Sequence, residues 1–209
     1  MNAADRREEA LASQTLRFYD SNAQLYADQT RAIDLTHLYK PFLANVPNAG
    51  RILDIGCGAG RDLKHFTDLG FEAVGIDPSE KLAAMACKYS GCKVLVSSIQ
   101  DFKADRKFDG VWACASLVHF PKHQLISVLR KVYLFLRPGG VLFVSMQVGL
   151  GETVMDDGRF VARYSPEELS ASIEQAHFES VNIWITPDSL PGRNSIDWVN
   201  AIARKPSDG

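Results

Sequence analysis

The chain has 209 residues, 46% of them hydrophobic and 23% charged, which is enough apolar surface for one ample core and excludes a globally disordered chain. Its 23 Lys and Arg against 25 Asp and Glu leave a formal net charge of -2, so there is no general attraction to phosphate backbones or acidic membranes. No apolar run approaches the roughly 18 to 20 residues of a membrane-spanning helix. The charged start MNAADRREEALAS lacks a signal-peptide core, and a cytoplasmic protein is expected.

From Asp5 to about Asn45 the spacing of Leu11, Leu16, Tyr19, Leu25, Tyr26, Ile33, Leu38 and Leu43 predicts a leader of two helices, interrupted around Asp20 to Asn22. Beyond the turn-rich Pro47 to Gly50, strand and helix alternate. Strands are predicted at Arg51 to Ile55, Phe71 to Ile76, Lys93 to Ser97, Phe108 to Ala115 and Val141 to Gln147. Helices are predicted at about Arg61 to Leu69, Ser79 to Tyr89 and Lys122 to Leu136. An irregular segment then runs through Arg163. Ser165, Pro166 and Glu168 form a capping-box start for one more helix. Strands near Ser180 to Thr186 and Trp198 to Arg204 close the chain. This rhythm argues for a single α/β domain, residues 1–209, with a mostly parallel sheet covered on both faces.

The four cysteines, Cys57, Cys87, Cys92 and Cys114, form no CxxC pair and suit reduced, packed thiols better than disulfides or zinc. His119 and His123 have helical metal-pair spacing, but Pro121 lies between them, so no metal site is expected.

The most informative segment is Ile52-Leu53-Asp54-Ile55-Gly56-Cys57-Gly58-Ala59-Gly60-Arg61. A strand delivers its carboxyl end to three glycines at alternate positions, where backbone can approach a ligand without Cβ obstruction. The second strand ends in Gly75-Ile76-Asp77-Pro78, which places a carboxylate to accept hydrogen bonds from a ribose diol at the topological switch point of the sheet. A dinucleotide fingerprint would need glycine or alanine at position 61, where Arg61 stands. Asp54 suits a cationic ligand group and would repel a pyrophosphate.

The segments LDIGCGAG, VGIDPS, FDGVWACASLVHF and LRPGGVLFVSM, in this order and spacing, resemble the class I S-adenosylmethionine-dependent methyltransferases over most of the chain. The resemblance implies a Rossmann-like doubly wound sheet of seven strands, the last antiparallel, with residues 1–45 as a helical lid or leader and 51–209 as the cofactor-binding core. It implies S-adenosyl-L-methionine as cofactor. Asp54, Gly56, Gly58 and Gly60 would surround the methionine and ribose, Asp77 the ribose hydroxyls, Ser98 and Ile99 the adenine, and Cys114 the methionine portion. Many relatives carry aspartate where Ser98 stands, and Asp101 is the alternative. Tyr19-Asp20-Ser21-Asn22-Ala23-Gln24-Leu25-Tyr26 looks like the aromatic entrance segment of small-molecule methyltransferases. Tyr19 and Tyr26 there would fold over the cofactor, or pack as core tyrosines.

Methyl transfer is an in-line displacement that positioning can drive, and a base is needed only where the acceptor must lose a proton. His119, just beyond the fourth strand, is the candidate catalytic residue, against the plainer reading of a hydrogen-bonded loop histidine. Asp156 and Asp157 are weaker candidates in an acceptor-covering insertion. Trp184, Arg193 and Trp198, with the loop Leu190-Pro191-Gly192-Arg193, are candidates for acceptor walls. The expected partner is a small-molecule methyl acceptor, methylated on O or N. The alternatives are a non-catalytic cofactor-binding regulatory module and a nucleic-acid methyltransferase. The latter is disfavoured because the chain has no Asn-Pro-Pro-aromatic motif or clustered basic stripe.

Overall fold

The computed structural model describes residues 3–190, 192 and 195–207. Five strands, β1 (Arg51–Ile55), β2 (Glu72–Asp77), β3 (Lys93–Val96), β4 (Phe108–Cys114) and β5 (Leu136–Val148), form the parallel part of the sheet. Their order is β3-β2-β1-β4-β5. Strand β9 (Asp197–Arg204) adds to β5 antiparallel over seven pairs from Val141↔Arg204 to Gln147↔Trp198, and β8 (Glu179–Pro187) adds to β9 antiparallel. The expected seven-stranded sheet with its last strand reversed is therefore present.

Every other residue along these strands serves one of two cores, the period-2 signature of a sheet buried on both faces. Leu53, Val111, Ala113, Leu142, Val144 and Val199 face α6 (Lys122–Phe135) and α7 (Pro166–Gln175). Ile52, Trp112, Phe143 and Ile202 face α3 (Thr36–Leu43), α4 (Arg61–Asp68) and α5 (Glu80–Ser90). On that second face Trp112 stacks on Phe143 at 3.9 Å between centroids, with Phe42, Tyr39 and Phe66 around them. The Ser165 capping box forms as predicted.

Two expectations require correction. The leader is three helices rather than two: α1 (Ala3–Ser21), α2 (Ala23–Thr30) and α3. The third buries Leu38, Tyr39 and Phe42 in the core and is part of the body of the domain. The stretch after β5 is also not irregular, for it forms a hairpin of β6 (Glu152–Val154) and β7 (Phe160–Tyr164). β6 is exposed throughout and carries no alternating pattern. β7 is held by parallel pairing of Gln147↔Arg163 and Val148↔Tyr164 with the extended end of β5, a long-range contact with no local trace.

Candidate active site

The glycine loop begins where β1 ends. The amides of Gly56 and Cys57 both donate to the Ile76 carbonyl, at 2.8 and 3.1 Å, which ties the loop to β2. Gly56 sits at φ +68°, and a Cβ there would lie 2.6 Å from Cβ of Ser116, so both conformation and space demand glycine. Gly58 is covered by the Tyr26 ring, which a Cβ would meet at 3.0 Å. Gly60 plays another part, since at φ +87° it starts α4, and a Cβ would strike the Ala86 backbone of α5 at 2.8 Å. Gly60, expected to surround the cofactor, lets two helices close behind the loop.

Asp77 is 6% exposed, with one oxygen accepting from Gly58 N and the other from Ser79 N, both at 2.9 Å. Burial raises its pKa to about 6, against the pull of the two amides and with a further push from Asp20. Asp20, at the end of α1, accepts a 2.5 Å hydrogen bond from the Ser79 hydroxyl. The leader is thus latched beside the carboxylate.

A cavity of about 550 Å³ opens along this edge, lined by Tyr19, Tyr26, Gly56, Gly58, Asp77, Ser98, Ile99, Cys114, Ser116 and His119 among others. The structure brings together most of the sequence candidates. Asp101 does not line the cavity. It accepts from the Ser98 hydroxyl at 2.6 Å, so of the two Ser98 is the one at the cavity wall. Asp54 also lies outside the lining, 1% exposed on the second face of the sheet, with Oδ2 lacking a hydrogen-bond partner among the described residues. Burial pushes its pKa well up, and the charges of Asp62 and Asp77 push it further.

Asp62 anchors the ground beneath the loop. It accepts from the Tyr39 hydroxyl at 2.6 Å, Trp112 Nε1 at 2.8 Å and Arg61 Nε at 2.6 Å. Burial alone would raise its pKa, but Arg61 and these donors hold it below the usual value. Of the three carboxylates around the glycine loop, Asp62 is paired with Arg61 and Asp54 is buried out of reach, so Asp77 is the one that lines the cavity. A carboxylate acceptor there suits a ligand carrying hydroxyl donors and positive charge, and is hostile to a pyrophosphate. S-adenosylmethionine, with its sulfonium, ammonium and ribose diol, fits.

His119 closes the far end in a 3-10 turn, Leu117–His119. Its Nδ1 lies 2.6 Å from the Phe160 carbonyl, which can only accept. The ring proton therefore sits on Nδ1, and Nε2 accepts the Tyr19 hydroxyl at 2.9 Å. Burial lowers the His119 pKa to about 4, so the ring is neutral near pH 7. Tyr19, expected to bind cofactor or fill core, is therefore also the hydrogen-bond partner of the candidate catalytic histidine. His123 is elsewhere, facing Glu8 at 3.3 Å.

Behind this pair lies a second chamber of about 310 Å³. Five residues, Tyr19, Tyr26, Cys114, Ala115 and His119, line both chambers and form the wall between them. Its roof includes Phe18, Leu25, Ile33 and Leu38 of the leader, and its floor Ser145, Gln147, Thr186, Trp198 and Asn200. Trp198 is the expected wall residue that does line it, held by a 3.1 Å bond from its Nε1 to Asp188. Trp184 packs near Phe143 in the core instead. Asp156 is exposed, and Asp157 pairs with Arg159 at 2.6 Å. Pro191 and Arg193 lie outside the described residues. Sequence reasoning missed Ser116, Gln147, Arg159 and Asn200. Of these only Ser116, two residues past Cys114 in a matched motif, left a readable signal.

A family model described as methyltransferase domain matches residues 52–140. The chain is 31% identical over 176 residues to dTDP-3-amino-3,4,6-trideoxy-alpha-D-glucopyranose N,N-dimethyltransferase of Streptomyces venezuelae, covering 77% of this chain and 72% of that one. It is 33% identical over 106 residues to ubiquinone biosynthesis O-methyltransferase of Xanthomonas axonopodis pv. citri (strain 306), 47% of this chain and 44% of that one. A Bacillus subtilis (strain 168) relative is likewise matched over only 43% of its length, so the chain spans less than half of several relatives. Among solved structures, Burkholderia thailandensis 1,6-didemethyltoxoflavin-N1-methyltransferase, with S-adenosylhomocysteine bound, superposes with a TM-score of 0.80 at 20% identity, covering 99% of this chain and 92% of that one. With 31% identity covering 72% of the Streptomyces venezuelae relative, the chain belongs to the S-adenosylmethionine-dependent methyltransferase family.

Proposed function

We propose that this protein transfers the methyl group of S-adenosylmethionine to a nitrogen or oxygen of a small organic acceptor held in the second chamber. The observation that carries this reading is the shared wall. The chamber lined by the glycine loop and Asp77 meets the chamber floored by polar residues across Tyr19, Cys114 and His119. A methyl group delivered there would have a sulfonium on one side and a nucleophile on the other, as in-line displacement requires.

Bound cofactor supplies an electrophilic methyl carbon. Asp77 holds the ribose, and the backbone at Gly56 and Gly58 seats the chain beyond it. Tyr19 commits its proton to His119, so toward the acceptor its oxygen, which Arg159 also approaches, acts as a hydrogen-bond acceptor for an N–H or O–H and turns that atom's lone pair toward the methyl. A histidine with its pKa near 4 is a poor base for an acidic proton, and its work here is to fix the Tyr19 hydroxyl. This favours a nucleophile that needs no prior deprotonation, a neutral amine or ring nitrogen. Relatives named for N- and O-methylation support the same substrate range. The net charge of -2 gives no support to a nucleic-acid acceptor.

The test is a crystal structure with S-adenosylhomocysteine. Its sulfur should face the Tyr19–His119 wall, with its ribose on Asp77. A sulfur pointing away from the second chamber would overturn the reading.

A further inference from the structure

Two carboxamides on the floor of the second chamber have orientations fixed by their neighbours, and each leaves one end unused. Asn200, on β9, is fully buried, and its Nδ2 donates to the Thr186 hydroxyl at 3.0 Å and the Trp198 carbonyl at 3.2 Å. A backbone carbonyl only accepts, so the nitrogen end is identified, and Oδ1 is left buried without a partner among the described residues. Gln147, on β5 and 8% exposed, accepts a 2.8 Å hydrogen bond at Oε1 from Arg163 Nε. An arginine only donates, so Nε2 is the donor end, and it has no partner among the described residues.

The pairs Ser145↔Asn200 and Gln147↔Trp198 make Gln147 and Asn200 diagonal neighbours on one face, within common reach of one small ligand. A buried carbonyl without a donor is a standing cost that a matched ligand removes.

We propose that the methyl acceptor carries a cis-amide edge, as in a lactam or cyclic imide, whose N–H donates to Asn200 Oδ1 while its carbonyl accepts from Gln147 Nε2. This deepens the reading of the second chamber as the acceptor site and rests on it. A neutral edge fits better than a carboxylate or phosphate, because the two guanidiniums lining the chamber, Arg61 and Arg159, are already paired with Asp62 and Asp157. The Trp198 indole, with Leu25 and Ile33, supplies apolar surface for a flat ring, and about 310 Å³ accommodates a one- or two-ring molecule.

The experiment is saturation-transfer NMR on the protein loaded with S-adenosylhomocysteine, using uracil as the cyclic-imide probe and 1,3-dimethyluracil as the analogue without N–H donors. Uracil should bind roughly tenfold or more tightly than the dimethyl analogue. Asn200→Leu should abolish that discrimination, and Gln147→Glu, which sets a carboxylate against the ligand carbonyl, should weaken uracil by a similar factor. Both variants should keep S-adenosylhomocysteine affinity within about twofold, a readout that a merely structural loss would move. Equal binding of the two probes, or binding of neither while S-adenosylhomocysteine binds, overturns this inference alone. Failure of S-adenosylhomocysteine to bind overturns the parent reading with it. If Asn200→Leu does not fold, unchanged uracil affinity in Gln147→Glu is sufficient to reject the proposal.

Discussion

The nucleoside chamber and the chamber behind it sit on one sheet but are built by different rules. The first takes its base from the carboxyl ends of β1, β2, β3 and β4 with the turns that follow them, and its cover from one face of α1, so most of its residues arrive in short contiguous blocks. The second draws on α1, α2, the end of β5, the β6–β7 hairpin and two antiparallel strands, so Phe18 and Asn200 share a surface across most of the chain. The contrast shows what each can vary. A cofactor site dictated by backbone geometry tolerates little change, whereas a floor of side chains on alternating strand positions can be rewritten one residue at a time without disturbing the register.

The largest effect that separates the two chambers should come from Asp77. Asp77→Ala removes the acceptor of two backbone amides and of the ribose. Cofactor affinity should fall by about 2–3 kcal/mol, read by calorimetry with S-adenosylhomocysteine, while the second chamber's ligand preference is unaltered. An unchanged affinity would reject the ribose assignment. Tyr19→Phe and His119→Gln act at the dividing wall. Each should slow turnover by roughly ten- to a hundredfold, with cofactor affinity little changed, if positioning of the acceptor is their role. Normal turnover in both would leave the pair a packing feature.

A smaller effect sharpens the backbone rule. Gly56→Ala should cost about 1–2 kcal/mol of strain at its positive φ and more from the contact with Ser116. Pairing it with Ser116→Gly should recover the steric part alone, as measured by thermal unfolding of the two variants and the double. Full recovery would show that conformation is not limiting there.

The smallest expected effects are in pH dependence, where the two chambers pull in opposite directions. The Asp77 pKa is raised from 3.8 to about 6. Its contribution to stability is therefore complete below about pH 4 and lost as pH rises through about 6. The His119 pKa is lowered from 6.5 to about 4, so its contribution is complete above pH 6.5 and lost as pH falls toward 4. In the intact protein these slopes offset each other. Asp77→Asn should steepen acid destabilisation between pH 6.5 and 4, and His119→Gln should flatten it, as melting temperatures across that window would report. Parallel profiles for both variants would contradict the assigned burial of one of the two groups. Cofactor affinity should also strengthen as pH rises through about 6, because the ionised carboxylate is the better acceptor.

Much of the nucleoside chamber was legible because its physics is local. A strand of five buried residues, glycines whose φ values no other residue adopts cheaply, and a carboxylate ending the next strand all occupy short stretches of chain. Even there, locality hid a second constraint at Gly60, whose place in the motif suggests ligand contact and whose missing Cβ serves the packing of α4 on α5. Asp54 was readable as an acidic residue at the loop, yet its burial beneath the loop, away from the lining, follows from strand parity in the folded sheet.

The alternation of strands and helices, the glycine loop after β1 and the carboxylate that ends β2 were thus determined by the amino-acid sequence itself, through hydrophobic period, turn chemistry and glycine placement. The reversed last strand and the cofactor were implied by the family resemblance those segments carry. Only tertiary structure decided that Tyr19 meets His119 across a hundred residues, that a hairpin forms after β5, and that Gln147 and Asn200 lie side by side. Those relations depend on which distant strands pair and in what register. Pairing energy is shared among many contacts, and no single residue announces it.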